Sequence, residues 1–125
     1  MILDRSSEQK LVGVHPDLVR VIRRAALAST IGFRVIEGVR TLARQKQLKA
    51  AGASRTLNSS QVSHAVDVVP MLNGKISWDW PLYHKLAPII KAAARAEKVP
   101  LEWGGDWRSF RDGPHWQLPF ASYPK

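Results

Sequence analysis

The chain has 125 residues, of which 45% are apolar; it contains no cysteine and carries 19 Lys and Arg against 10 Asp and Glu, a formal charge of +9. That length suits a single domain, residues 1–125, that buries a core without staples, and the lack of cysteine excludes disulfides and thiolate zinc sites, leaving His, Asp and Glu as the strong metal ligands. The charge implies attraction to a polyanion, whether nucleic acid, an anionic cell wall or an acidic membrane face, without choosing among them. Met1-Ile2-Leu3-Asp4-Arg5 shows no basic region followed by an apolar core, and no run approaches membrane-spanning length, so a soluble monomer made in the cytoplasm is expected.

Taken in chain order, Leu18, Val19, Ile22, Ala25 and Ala26 follow helical spacing from Asp17 to Ser29, with Arg20, Arg23 and Arg24 on the other side and Pro16 at the start. Phe33 to Glu37 reads as a strand. Thr41 is placed to cap a helix through Gln45 and Leu48 to about Ala51, stopped by Gly52. A second strand holds Ala65-Val66-Asp67-Val68-Val69, and Asn73-Gly74 predicts a turn or hairpin link. Pro81 opens a long helix through Leu86, Ile90 and Ala93 to about Lys98. Val99 to Trp103 and His115 to Leu118 complete a small sheet. The expected fold is α+β, a short, mostly antiparallel sheet with helices packed against it.

Two segments carry chemistry. In the last quarter, Trp103-Gly104-Gly105-Asp106-Trp107 leads to Asp112-Gly113-Pro114-His115-Trp116-Gln117-Leu118, where an acid stands three residues before a histidine, as a metal-dependent hydrolase sets a proton acceptor beside a metal ligand. Asp67, inside an apolar run, is a carboxylate that must be paired or bound to metal if the strand is buried. The basic residues, by contrast, are spread along the chain without a zinc-finger or RNA-recognition pattern, so a solvated basic surface is expected and specific nucleic-acid binding is not.

Beyond these, Gly13-Val14-His15-Pro16-Asp17-Leu18, Glu37-Gly38-Val39-Arg40-Thr41 with Arg44-Gln45, His64-Ala65-Val66-Asp67, Ile76-Ser77-Trp78-Asp79-Trp80-Pro81-Leu82 and the two C-terminal motifs together resemble the M15-type zinc peptidases. Within them, the chain is similar to the phage endolysins that act as L-alanyl-D-glutamate peptidases. The resemblance implies a fold like that of D-Ala-D-Ala peptidases, one Zn2+ ion, Asp67 and His115 as two of its three ligands, Asp112 as catalytic acid/base, and Arg40 for a substrate carboxylate or the oxyanion. It also implies peptidoglycan as substrate. Such an endolysin stays in the host cytoplasm until lysis and then reaches the periplasm and wall with the help of a membrane-permeabilising partner.

The chain departs from the family at the first ligand. The pattern Ser-x-His-x-x-Gly-x-Ala-x-Asp sets a histidine seven residues before the aspartate, where this sequence has Ser60; allowing one deletion brings Gln61 into the slot. Neither side chain is a good zinc ligand. His64 is the nearest histidine, although residues three apart on a strand point to opposite faces, which favours a polar neighbour over a ligand. Trp116, next to His115, and Trp107 are the candidates to wall a substrate groove, against the alternative that tryptophans serve the core. Asp106 is read as either a partner of a ligand histidine or a turn-capping residue, and His15 and His84 as surface or capping residues. The expected function is zinc-dependent hydrolysis of the L-alanyl-D-glutamate bond. The alternatives are a catalytically impaired pseudo-peptidase that binds wall peptide or a partner, a D-alanyl-D-alanine carboxypeptidase, and a basic nucleic-acid-binding domain.

Overall fold

A computed structural model describes residues 1–39 and 63–124. The helix expected from Thr41 to Ala51, Arg40, Ser60 and Gln61 lie outside the described residues. The first element is a helix the sequence reading did not anticipate, α1 (Arg5–Lys10). Asp4 caps it, accepting the Ser7 N–H at 2.7 Å, and also takes the Arg34 Nε at 2.8 Å. So short a helix is marginal alone. It is fixed by fully buried Ser7, whose Oγ accepts the Val35 N–H at 3.0 Å and joins α1 to the sheet.

Helix α2 (Pro16–Ala28) starts at His15, whose Nδ1 accepts the Asp17 N–H at 3.0 Å, with Pro16 in the first turn. Its buried stripe is Leu18, Val21, Ile22, Ala25 and Ala26, a run of i, i+3, i+4, i+7 and i+8 that includes Val21 and leaves Val19 half-exposed at the margin. At the other end of the chain, Tyr123 donates from its hydroxyl to Asp17 Oδ2 at 2.6 Å, tying the tail to the start of α2.

Strand β1 (Phe33–Glu37) pairs antiparallel with β2 (Ala65–Leu72), which continues through left-handed Asn73 and Gly74 into β3 (Lys75–Ile76). Asn-Gly with φ of 53° and 77° is the tight hairpin turn that the sequence predicted. Helix α3 (Trp80–Glu97) packs on α2 and ends at left-handed Lys98. The Val99 N–H then bonds back to the Ala94 carbonyl at 2.9 Å, and buried Val99 seals the helix end before Pro100. This use of Val99 shortens the strand expected from Val99 to Trp103: β4 is only Glu102–Trp103. A 3-10 turn (Gly104–Asp106) follows, and β5 (His115–Gln117) closes the sheet in the order β1-β2-β5-β4, every pair antiparallel. The α+β class with helices against a small antiparallel sheet is as expected. The core joins Leu18, Val21 and Ile22 of α2 to Leu86 and Ile90 of α3 and to Val35, Val66, Val68 and Trp116 of the sheet.

Two carboxylates at helix starts make the fold sensitive to acid. Hydrogen bonds from Ser7 hold the Asp4 carboxyl below the ordinary aspartate value of 3.8, and those from Tyr123 and Arg20 do the same for Asp17. A carboxyl depressed in the folded state stabilises above its unfolded pKa, and the gain is lost as pH falls through the folded one. Melting temperature is therefore expected to fall below about pH 4. Asp4→Asn, which keeps a cap acceptor but does not titrate, should flatten that fall, and Asp4→Ala should cost about 1 kcal/mol at neutral pH. Thermal melts from pH 2.5 to 7 check both, and an Asp4→Asn melt curve parallel to wild type throughout would refute the assignment.

Candidate active site

Central strand β2 positions the first functional group. Val66 and Val68 are buried on the face that meets the helices, so strand alternation sends Asp67 to the opposite face. His115 opens β5 and is the direct cross-strand partner of Asp67. Residues so opposed share a face. His115 Nδ1 lies 3.3 Å from Asp67 Oδ1, with the two side chains only 13% and 18% exposed. The other ring nitrogen, Nε2, meets Gln117 Oε1 at 2.7 Å, and Gln117 in turn donates its amide to Glu102 at 2.9 Å. That second bond fixes the amide with its oxygen toward the histidine, so both imidazole nitrogens face acceptors. Burial works against the charged ring, but the bonds to Asp67 and Gln117 and the nearby Asp67 and Asp112 charges outweigh it and raise the His115 pKa.

The Asp112–Pro114 turn is anchored through its backbone. The Asp112 N–H bonds to the Gly104 carbonyl at 3.1 Å, the His115 N–H to the Asp112 carbonyl at 3.2 Å, and the Val68 N–H to the Pro114 carbonyl at 2.8 Å. Trp103 Nε1 donates to the Gly113 carbonyl at 2.7 Å. This turn therefore carries Asp112 to the end of β5 on the side of the Asp67–His115 pair, and its charge is felt by His115. The half-exposed Trp107 ring sits 5.3 Å from the His115 ring, at the edge of the site.

Not every sequence candidate arrives there. Trp116 is 2% exposed and stacks on Trp103 at 5.7 Å, inside the core. Its expected role as a groove wall is corrected: neighbours on a strand point to opposite faces, so the residue after His115 packs inward. His64 stands at the entry to β2 with its ring against His15 at 5.4 Å and Tyr123 at 6.0 Å, a cluster at the start of α2 and apart from the Asp67–His115 pair. Asp106 pairs with Lys91 at 2.7 Å on the exposed surface and does not orient His115. Arg40 is not among the described residues. Conversely, three residues near the site were not singled out from sequence. A bulge between Val35 and Glu37 brings Glu37 opposite Asp67, extending the polar row across β1, β2 and β5. Gln117 was legible as the residue two past His115 and so on its face, whereas Tyr83, beneath the Asp112 turn, has no local signature.

The donor set decides how well zinc fits. A hydrolytic zinc takes three nitrogen or oxygen protein ligands and keeps one position open. Among the described residues no group of three His, Asp or Glu stands where it could hold a metal ion. Residues 40–62 contain no His, Cys, Asp or Glu at all. Asp67 and His115 are thus two strong donors where the zinc chemistry calls for three, and the residues present do not fit a full hydrolytic zinc centre.

Comparison with known proteins gives the family. Residues 1–117 match the family described as phage L-alanyl-D-glutamate peptidase. This chain belongs to that family. It is 33% identical over 113 residues to the L-alanyl-D-glutamate peptidase of Escherichia phage T5, covering 86% of this chain and 82% of the relative. It is 38% identical over 90 residues to the L-alanyl-D-glutamate peptidase of a Listeria phage, covering 71% of this chain and 31% of that longer protein. Among solved structures, the Serratia marcescens L-Ala D-Glu endopeptidase ChiX superposes with a TM-score of 0.90 at 48% identity, over 100% of this chain and 95% of the other. Like its relatives in name, this member of the L-alanyl-D-glutamate peptidase family is a peptidase.

Proposed function

We infer that this chain is a peptidoglycan endopeptidase that hydrolyses the L-alanyl-D-glutamate bond of the stem peptide at the Asp67–Asp112–His115 cluster. The observation that carries the reading is the backbone-anchored Asp112–His115 turn set against Asp67 by strand register, in a chain similar along its whole length to peptidases of that name. Asp112 is the group to take a proton from the attacking water and return it to the leaving amine, a role that needs a carboxylate held beside the reacting atoms. Asp67 fixes the His115 ring, and Trp107 borders the substrate. The charge of +9 favours the anionic wall on which such an enzyme works, and among the described residues no helix is long and apolar enough to cross a membrane.

The metal we propose is zinc, for which Asp67 and His115 would supply two of the three donors that a hydrolytic centre needs, so it would be held loosely. Hydrolysis of purified peptidoglycan, followed by identification of the residues that bear newly freed amino groups, tests the whole reading. Glutamate amines are expected, at zinc concentrations well above that of the protein and not in the presence of chelator. Release indifferent to chelator would remove the metal from the scheme. Free D-alanine in place of glutamate amines would move the cut to the D-alanyl-D-alanine bond. No release from folded protein would leave a chain that binds wall peptide without cutting it.

A further inference from the structure

We propose that the Tyr83 hydroxyl is a hydrogen-bond donor built into this site for the carbonyl oxygen of the peptide bond being cut. The proposal rests on the peptidase reading above and adds a residue to it. Tyr83 lies in the first turns of α3, 4% exposed, and its Oη is the one buried side-chain polar atom among the described residues that lacks a hydrogen-bond partner. An orphaned buried hydroxyl costs roughly 1–3 kcal/mol, and phenylalanine would fill the same space without that cost. A packing role alone therefore does not account for tyrosine.

The position points to the reaction. The turn that bears Asp112 and His115 lies on the Tyr83 ring: a Cβ at Gly113 would come within 3.1 Å of the ring carbons, so glycine there allows the backbone to settle on it. Trp80 packs on the ring at 5.7 Å. The ring is thus fixed in place, while its hydroxyl feels the charges of both Asp112 and Asp67; burial first, and those charges second, push its pKa up to about 12. It keeps its proton wherever an enzyme works, so it donates. Near it stand Asp67 and Asp112, a row of carboxylates that only accept. As the amide carbonyl takes up negative charge, a fixed donor is the complement that such a row lacks, and a preorganised donor is worth most in a water-poor site.

Tyr83→Phe tests this. The variant keeps the ring and its packing on Gly113, so its melting temperature is expected to equal or exceed that of wild type. Turnover should fall about tenfold to a hundredfold, with KM changed little and the pH of the acid limb unmoved. A kcat within about twofold of wild type would overturn the proposal. So would an acid limb displaced with its plateau intact, since that would show Tyr83 acting through Asp112 and not on the substrate. If wild-type protein cuts no peptidoglycan, the peptidase reading fails by itself. Calorimetry of the uncleaved stem tripeptide then decides for Tyr83: at least about fivefold weaker binding to Tyr83→Phe supports the contact with a substrate oxygen, and equal binding refutes it.

Discussion

Asp112→Ala is expected to reduce kcat by about a hundredfold to ten-thousandfold while leaving the fold and its melting temperature nearly unchanged. The separation of these effects follows from how the residue is held. Hydrogen bonds to the Gly104 carbonyl and from the His115 N–H run through its backbone and survive truncation of the side chain. The carboxylate is the part of the residue assigned to the proton transfer. Its removal also takes away one of the charges that raise the His115 pKa, so that pKa should fall in the variant, a change visible by NMR titration of the ring. Circular dichroism and amine release from peptidoglycan, measured on the same preparation, check the prediction. An Asp112→Ala protein that cuts at the wild-type rate would remove Asp112 from the mechanism.

Gly104→Ala should damage both stability and activity. A Cβ at this position runs into the Asp112 carbonyl and stands 3.0 Å from the Asp112 Cβ and 3.1 Å from the His115 Cβ. The obstacle includes backbone that is itself hydrogen-bonded, so no flexible side chain can swing away. Overpacking of this kind costs about 1–3 kcal/mol. Relief must come from shifting the turn that carries both residues, and a displacement near 1 Å at a reacting group costs about a hundredfold in rate. Chemical denaturation and turnover of the variant measure the two effects. Full activity would show that the turn can move without consequence and that its anchoring is not part of catalysis.

How much of this was legible in the sequence depends on whether the deciding contact is local. Helix α2 was read correctly because its apolar stripe repeats at helical spacing, although only packing showed that Val21 and not Val19 faces the core. The β2–β3 hairpin was legible because Asn-Gly favours left-handed backbone. Helix α1 was missed: six residues make a weak periodic signal, and what fixes them is the distant bond from Ser7 to Val35. In the site, Asp67 stood out as an acid in an apolar run and Asp112 and His115 by their spacing. Their meeting depends on the register of β2 against β5, which no local pattern encodes. Trp116 was misjudged because adjacency in sequence was taken for adjacency in the groove, and strand alternation reverses it. The bulge that sets Glu37 opposite Asp67 and the orphaned hydroxyl of Tyr83 arise wholly from tertiary packing.

The order of strands across the sheet has a consequence for when the enzyme becomes an enzyme. Asp67 belongs to the ladder that β1, β2 and β3 build, whereas Asp112 and His115 come with β5, the last strand in the chain, which must return to the middle of the sheet. Closing that long loop is the slow, entropically costly part of assembly. A chain emerging from the ribosome can thus pair its early strands with Asp67 in place and still have no reaction site. Cutting power therefore arrives with β5 and its turn, after the strands that hold Asp67.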